Sequence, residues 1–297
     1  MTAADYEQKF CKFLDYFNGY LAEKFSELEN DKKSVPSLTV DSMRYAVDGG
    51  GKRVRPVLCF AANEMLGGNE KDVKEFALAI ELIHSYSLVH DDLPAMDNDD
   101  YRRGKLSTHK KFGEAFGILA GDALLNYAFE ICLSKRDFDK SDLAASRIIA
   151  EYAGYKGMIS GQVLDLLNEK NETVDEKVLY EIYVNKTSKL LTAPLLVASV
   201  KNGNAYYEEL KEAGTNLGIM FQIKDDILDE ESTFASLGKT LHKDKEENKY
   251  TSVKTFGLNG AKQKAFELYE KIVNVLKKIP NSDFLIEFTK RLYERDR

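Results

Sequence analysis

The residues of this 297-residue chain best equipped for chemistry are two sets of aspartates. The first lies in residues 87–104, SLVHDDLPAMDNDDYRRG, where Asp91, Asp92 and Asp97 follow a long apolar run. The second lies in residues 221–229, FQIKDDILD, where Asp225, Asp226 and Asp229 stand at i, i+1 and i+4 of an apolar segment. Carboxylates crowded this closely repel one another unless a cation sits between them, and hard cations such as Mg2+ prefer carboxylate oxygens. Mg2+ keeps several waters and shares the rest of its shell between one or two carboxylates and substrate phosphates, so phosphate is the expected ligand. A lone acidic cluster at a helix end is most often a solvated loop. Two such clusters on otherwise apolar helices can face each other across a cavity, and that pairing outweighs the solvated-loop reading.

On a straight helix Asp97 would sit about 120° from Asp91 and face elsewhere. Pro94 lacks an N–H, clashes with the carbonyl of His90 and pushes Leu93 out of the helical region. The helix is therefore expected to bulge there and to bring Asp97 back toward the other two. Residues 97–102 are no EF-hand, since the glycine and the distal glutamate are missing. Residues 49–56, GGGKRVRP, fail as a P-loop: Ala46 replaces the first glycine and Arg53 the Ser/Thr after the lysine. What remains is a glycine turn presenting Lys52, Arg53 and Arg55 at a helix N-terminus, where anions are favoured. A basic helix start facing solvent is an equal reading of that stretch alone. Arg102 and Arg103 offer a second cationic site with the fork suited to diphosphate oxygens. Lys186, Lys239 and Lys249 lie near the second aspartate set. His84 stands two turns before Asp91; a core histidine is the commoner fate, yet its place between acidic and basic clusters makes a ligand role credible. His90 beside Asp91 suggests an HD-type metal phosphohydrolase, which is disfavoured because His109 and His242 have no HD-like neighbour.

The elements that must position these groups read as helices. Helical spacing predicts them over 4–30, 38–47, 56–65 with Pro56 as first residue, 71–90, 112–133, 142–167, 175–201, 205–229, 260–278 and 282–295. Residues 230–250 are charged and glycine-punctuated, long enough for a mobile flap. With no period-2 pattern, repeat or linker, residues 1–297 read as one all-α domain. The net charge of -7 argues against a nucleic-acid binder. Three widely spaced cysteines without CxxC suggest reduced thiols in the cytoplasm, so the sequon at 185–187 is read as accidental. The acidic, amphipathic start is no secretory signal, and the apolar run 190–200 is too short to cross a bilayer.

DDLPAMD at 91–97 and DDILD at 225–229 resemble the two aspartate-rich motifs of trans-prenyl diphosphate synthases, the first in the form of the bacterial short-chain farnesyl branch. GGGKRVRP, His84, RRG at 102–104, GQVLDL at 161–166, KTSKL at 186–190, FQIKDD at 221–226 and GKT at 238–240 resemble further motifs of that family in the same order. Class I terpene cyclases share the fold but carry an Asn/Ser/Glu second motif, so DDILD favours the synthase. The resemblance implies an isoprenoid-synthase helical bundle around a central cavity, and a homodimer. It implies that Lys52, Arg55, His84 and Arg103 bind isopentenyl diphosphate. Asp91, Asp92, Asp97, Asp225, Asp226 and Asp229, with Asp165 nearby, would hold three Mg2+ ions on the allylic diphosphate. Arg102, Lys186, Lys239 and Lys249 would complete its neutralisation, and Thr187 and Gln222 would line the region where the allylic cation forms. Lys186, Thr187, Gln222 and Lys239 would thus be the catalytic set. Lys224 and Ser188 depart from the pattern at variable positions.

The chemistry fits the residues by itself. Breaking a carbon–oxygen bond to diphosphate requires stabilising the leaving group's charge, and an allylic cation survives only where water is excluded. Tyr86, with Ser87 beside it, lies five residues before Asp91, roughly 7.5 Å along the helix, where a ring would act as the floor for a growing chain. Core packing explains Tyr86 equally well. The expected product is C15, with C20 as competitor. A helical regulatory subunit without turnover predicts damage to one aspartate motif, and both are intact.

Overall fold

The computed structural model describes residues 1–31, 36–135, 137–168, 175–231 and 251–296. Two helices form its centre: α4 (Glu70–Asp91), which leads into the first aspartate set, and α10 (Lys189–Lys201). The apolar run that is too short for a bilayer becomes α10, buried at every position from Leu190 to Val200 even with Pro194 inside it. Along α4, residues 76–80, Leu82 and Ile83 have no exposed surface. Asn69 starts this helix with a reciprocal cap to Asp72, and acids in its first turn complement the helix dipole.

Around this pair pack α1 (Ala3–Asn30), α3 (Val54–Met65), α6 (Glu114–Leu133), α7 (Lys140–Ala153) and α11 (Tyr207–Glu231). α2 (Ser37–Val47) and α5 (Thr108–Phe112) lie on α6. A second apolar cluster joins α9 (Glu176–Ile182), α11 and α12 (Ser252–Leu276) through Leu179, Ile182, Ile223, Ile227, Ala261 and Ala265. α8 (Met158–Asn168) and α13 (Asp283–Glu294) complete the described helices. By length and composition α6 could cross a membrane, but its inner face packs along α4.

Four local expectations change. The helix expected over 142–167 is two, α7 and α8, because the chain turns at residues 154–157; a Cβ on Gly157 would stand 2.0 Å from the carbonyl oxygen of Tyr152. The helix expected over 175–201 is interrupted by a π-helical segment, Tyr183–Ser188, a feature that apolar periodicity does not signal. Pro56 is the third residue of α3 rather than the first, tolerated there because first-turn N–H groups have no intrahelical partner. α12 begins earlier than expected and is kinked at Gly257, where φ is +69°.

One small hairpin, β1 (Tyr101–Arg102) with β2 (Lys105–Leu106), is the strand structure among the described residues. Its two-residue turn puts Arg103 and Gly104 at φ +53° and +75°, the left-handed pair such turns need. Strands of two residues are too short to leave a period-2 pattern.

Candidate active site

A cavity of about 1370 Å³ opens between the two aspartate sets. Asp91 and Asp97 line it from the end of α4 and the following loop, and Asp225, Asp226 and Asp229 line it from α11. Its apolar wall includes Leu93, Ile118, Leu125, Met158, Val163 and Phe221. The convergence that the two motifs predict is therefore present.

The first motif closes on itself by main-chain hydrogen bonds. α4 ends at Asp91 instead of bulging through Pro94, and the N–H of Asp97 donates to the Asp91 carbonyl at 2.8 Å. The N–H groups of Asn98 and Asp99 donate to the carbonyls of Leu93 and Asp92, with Asn98 in the left-handed region. Asp97 returns as expected, by a tight loop. Burial pushes Asp91 up to about 6, with Lys186 opposing and Asp97 adding to the rise. Asp92 is different: it is 3% exposed, does not line the cavity, and accepts from Nε of Arg102 at 2.8 Å and from its Nη2. Arg102 thus reaches the cavity with its guanidinium already committed to Asp92 and, more loosely, Asp99.

In the second motif Asp226 is the anchored carboxylate. Its Oδ2 accepts from the Tyr183 hydroxyl and from the N–H and hydroxyl of Ser252 at 2.7 and 2.8 Å; its Oδ1 accepts from Gln222 at 3.2 Å. Burial pushes it up to about 7 against those donors. Gln222 in turn accepts from the Thr187 hydroxyl at 2.9 Å, so Thr187 and Gln222 do meet, in a chain that ends on Asp226. Asp225 accepts from Arg295 at 2.9 Å. Tyr183, Ser252 and Arg295 escaped sequence reading because they come from three separate elements and match no spacing rule.

Lys186 sits on the π-helical segment and donates to Asp165 at 2.5 Å. Burial alone would pull its ammonium down, but Asp165 and Asp91 outweigh it and the net direction is up. The segment reaches the cavity because Gly161 lets α8 touch it: a Cβ there would stand 2.1 Å from the N of Lys186. Gly218 does the same for α11 against Ser188.

The basic stretches also meet. A Cβ on Gly51 would stand 2.7 Å from Nη1 of Arg103, so the glycine turn and the hairpin share one surface. Of the cations there, Arg53 is bound to Glu81 at 2.9 Å in the interior, and Arg55 lines the cavity. Burial lowers Arg55 to about 10, and its Nε has no partner. His84 also lines the cavity; burial, then the charge of Arg55, drives it well below its ordinary range and keeps it neutral. Lys52 and Arg103 are exposed and do not line it. Tyr86 is buried in the wall with its ring edge-to-face on His90, 5.7 Å between centroids, and Ser87 lies beside it. Lys239, Lys249 and the flap expected over 230–250 lie, apart from Glu230 and Glu231, outside the described residues.

The arrangement suits a diphosphate carried by hard cations. Arg55 Nε and Gln162 Nε2 are buried donors without partners on the cavity wall, ready for anionic oxygens. Among the described residues no three Asp, Glu, His or Cys side chains are gathered tightly enough to hold a metal by themselves. All-oxygen donors in such an open set fit Mg2+, which would take the rest of its shell from water and phosphate.

The model of the polyprenyl synthetase family matches residues 36–284. The chain is 39% identical to a farnesyl diphosphate synthase from Micrococcus luteus, over 96% of each chain. It is 42% identical to a chloroplastic geranylgeranyl pyrophosphate synthase from Capsicum annuum, over 78% of this chain and 64% of that one. A Helicobacter pylori geranyltransferase solved with magnesium and isoprenyl diphosphate superposes with a TM-score of 0.78 at 32% identity, covering 94% and 96% of the two chains. The helices, the shared cavity of the two aspartate motifs and this similarity along nearly the whole chain lead to one conclusion: the chain belongs to the polyprenyl synthetase family, has its isoprenoid-synthase fold and is a prenyltransferase.

Proposed function

We propose that the chain joins isopentenyl diphosphate head to tail with dimethylallyl and then geranyl diphosphate, and releases farnesyl diphosphate, C15. The observation that carries this reading is the opening of both aspartate motifs onto one apolar-walled cavity that also holds Arg55 and Lys186. Bound Mg2+ would supply Lewis-acid stabilisation of the departing diphosphate. Asp91, Asp97, Asp225 and Asp229 would hold it. Asp92, whose Oδ1 takes both hydrogen bonds from Arg102, and Asp226, whose two oxygens are taken by Tyr183, Ser252 and Gln222, fit a role in fixing the two motifs.

Lys186 keeps its proton and offsets charge on the allylic diphosphate, joined by Arg102, Lys239 and Lys249. Thr187 and Gln222 present oxygens beside the carbon that becomes cationic. Arg55, neutral His84, Lys52 and Arg103 would receive isopentenyl diphosphate and direct its double bond at that carbon. The new carbon–carbon bond takes the alkene's electron pair, the diphosphate leaves with the old bond's pair, and a proton passes to that diphosphate as the double bond re-forms. Apolar walls keep water from the cation.

Tyr86 would stop the growing chain at C15. The C20 product is the second reading, favoured by the 42% identity to a geranylgeranyl pyrophosphate synthase. The purified protein is to be incubated with Mg2+, isopentenyl diphosphate and geranyl diphosphate, and the dephosphorylated alcohols sized. Farnesol is expected, with a shift to longer alcohols for Tyr86→Ala; geranylgeraniol from the unaltered chain would replace C15 by C20, and no condensation at all would end the proposal. A second copy of this chain is the proposed cover for the apolar side chains that α6 and α8 expose, among them Phe116, Leu119, Val163 and Leu167.

A further inference from the structure

Arg295 lies just past α13, yet it reaches the second aspartate motif. Its Nη2 donates to the carbonyl of Phe221 and to Oδ1 of Asp225, both at 2.9 Å. The guanidinium carbon stands 3.9 Å from the centroid of the Phe221 ring. The side chain of Arg295 is 9% exposed and that of Asp225 45% exposed, so the fixed partner is the arginine. Arg295 lines a second cavity, of about 540 Å³, with Lys224, Lys262 and Tyr293, whereas Phe221 and Asp225 line the large one. The arginine therefore backs the carboxylate instead of facing the substrates. Phe221 and Asp225 are one turn apart on α11, and a single guanidinium clamps that turn.

We infer that Arg295 is a positioning residue for Asp225: it holds one carboxylate oxygen from behind and so presents the carboxylate to a divalent cation in the large cavity. This rests on the metal role proposed above for Asp225. A half-exposed aspartate samples several rotamers, and a planar donor stacked on a ring and tied to a main-chain carbonyl limits them. Groups that orient a metal's ligands typically change metal affinity by 10- to 100-fold when removed. The opposing effect is repulsion between guanidinium and cation. It is muted because the charge of Arg295 is already shared between a carboxylate and a carbonyl.

The test is Mn2+ binding to the metal-free full chain with inorganic pyrophosphate present, read as loss of the free Mn2+ signal in electron paramagnetic resonance. Arg295→Gln should bind Mn2+ about tenfold more weakly. Arg295→Lys should fall between, since an ammonium can reach Asp225 but neither stacks nor forks. Arg291→Gln makes the same charge change one turn earlier, where the partners are Glu287 and Glu7, and should bind as the unaltered chain does. In product assays Arg295→Gln should raise the Mg2+ concentration for half-maximal rate by a similar factor and leave kcat at saturating Mg2+ within about twofold. Unchanged or tighter Mn2+ binding by a folded Arg295→Gln protein overturns the inference, as does an unaltered chain that takes up no Mn2+. If Arg295→Gln does not fold, the Arg295→Lys titration decides by the same criteria. Mn2+ binding that shifts as stated in a protein that condenses nothing removes the reaction proposed above and keeps the role of Arg295.

Discussion

Asp91 sets stability against use on the cavity wall. Its carboxyl is pushed up to about 6 by burial, so the ligand-free fold resists its charge while the proposed metal site needs it. Below about pH 4 the group is protonated in both folded and unfolded chains and costs nothing. As pH rises through about 6 the folded chain must carry a buried carboxylate, and up to about 3 kcal/mol of stability is lost. Asp91→Asn is therefore expected to raise the melting temperature in EDTA at pH 7.5, to flatten the fall in stability between about pH 4 and 7, and to lower turnover about a hundredfold or more. Calorimetry across that pH range with a paired activity assay checks both halves. A lower melting temperature for the variant would mean that Lys186, left with Asp165 and the more distant charge of Asp97, depends more on Asp91 than burial suggests.

At the scale of elements, the cavity depends on helices that approach more closely than side chains permit. Gly161 brings α8 onto the π-helical segment and Gly218 brings α11 onto it, so the segment that carries Lys186 and Thr187 is gripped from two sides. The close neighbours of Gly161 are main-chain atoms, which cannot rotate away. Gly161→Ala is expected to cost about 1–3 kcal/mol or more and to reduce kcat more than KM for isopentenyl diphosphate, because Lys186 moves with the backbone it is built on. Urea unfolding and steady-state kinetics measure the two effects; a fully active, equally stable variant would show that the segment can retreat without cost. The Tyr183–Asp226–Ser252 cluster works in the same direction, joining that segment, α11 and the start of α12 at one buried carboxylate.

For the whole molecule, the exposed apolar face is the unmet demand. Phe116, Ile118, Leu119 and Leu133 on α6 and Ile159, Val163 and Leu167 on α8 are all exposed, and Ile118, Ile159 and Val163 also line the cavity. Apolar side chains exposed on two helices mark an interaction surface where they form one patch. With a second copy as its cover, size-exclusion chromatography with light scattering should give about twice 33.6 kDa for the unaltered chain and 33.6 kDa for Leu119→Asp. A monomer in the unaltered chain would remove the second copy as the cover.

The amino-acid sequence by itself determined the all-helical class, both aspartate motifs, and the association of Arg55, His84, Lys186, Thr187 and Gln222 with them. The helical class and the motifs follow from local rules, helical spacing and charge crowding, and Arg55 from its helix start; the roles of Thr187 and Gln222 come from the resemblance to trans-prenyl diphosphate synthases. Tertiary structure alone decided how each of the adjacent aspartates is held. Asp91 and Asp92 are neighbours in the chain, yet one lines the cavity and the other is turned into Arg102; likewise Asp226 is locked among three elements while Asp225 is backed by an arginine 70 residues away. The π-helical segment and the division at residues 154–157 were equally out of reach of periodicity. Each depends on what another helix presses against it, and such contacts join residues whose separation along the chain carries no pattern.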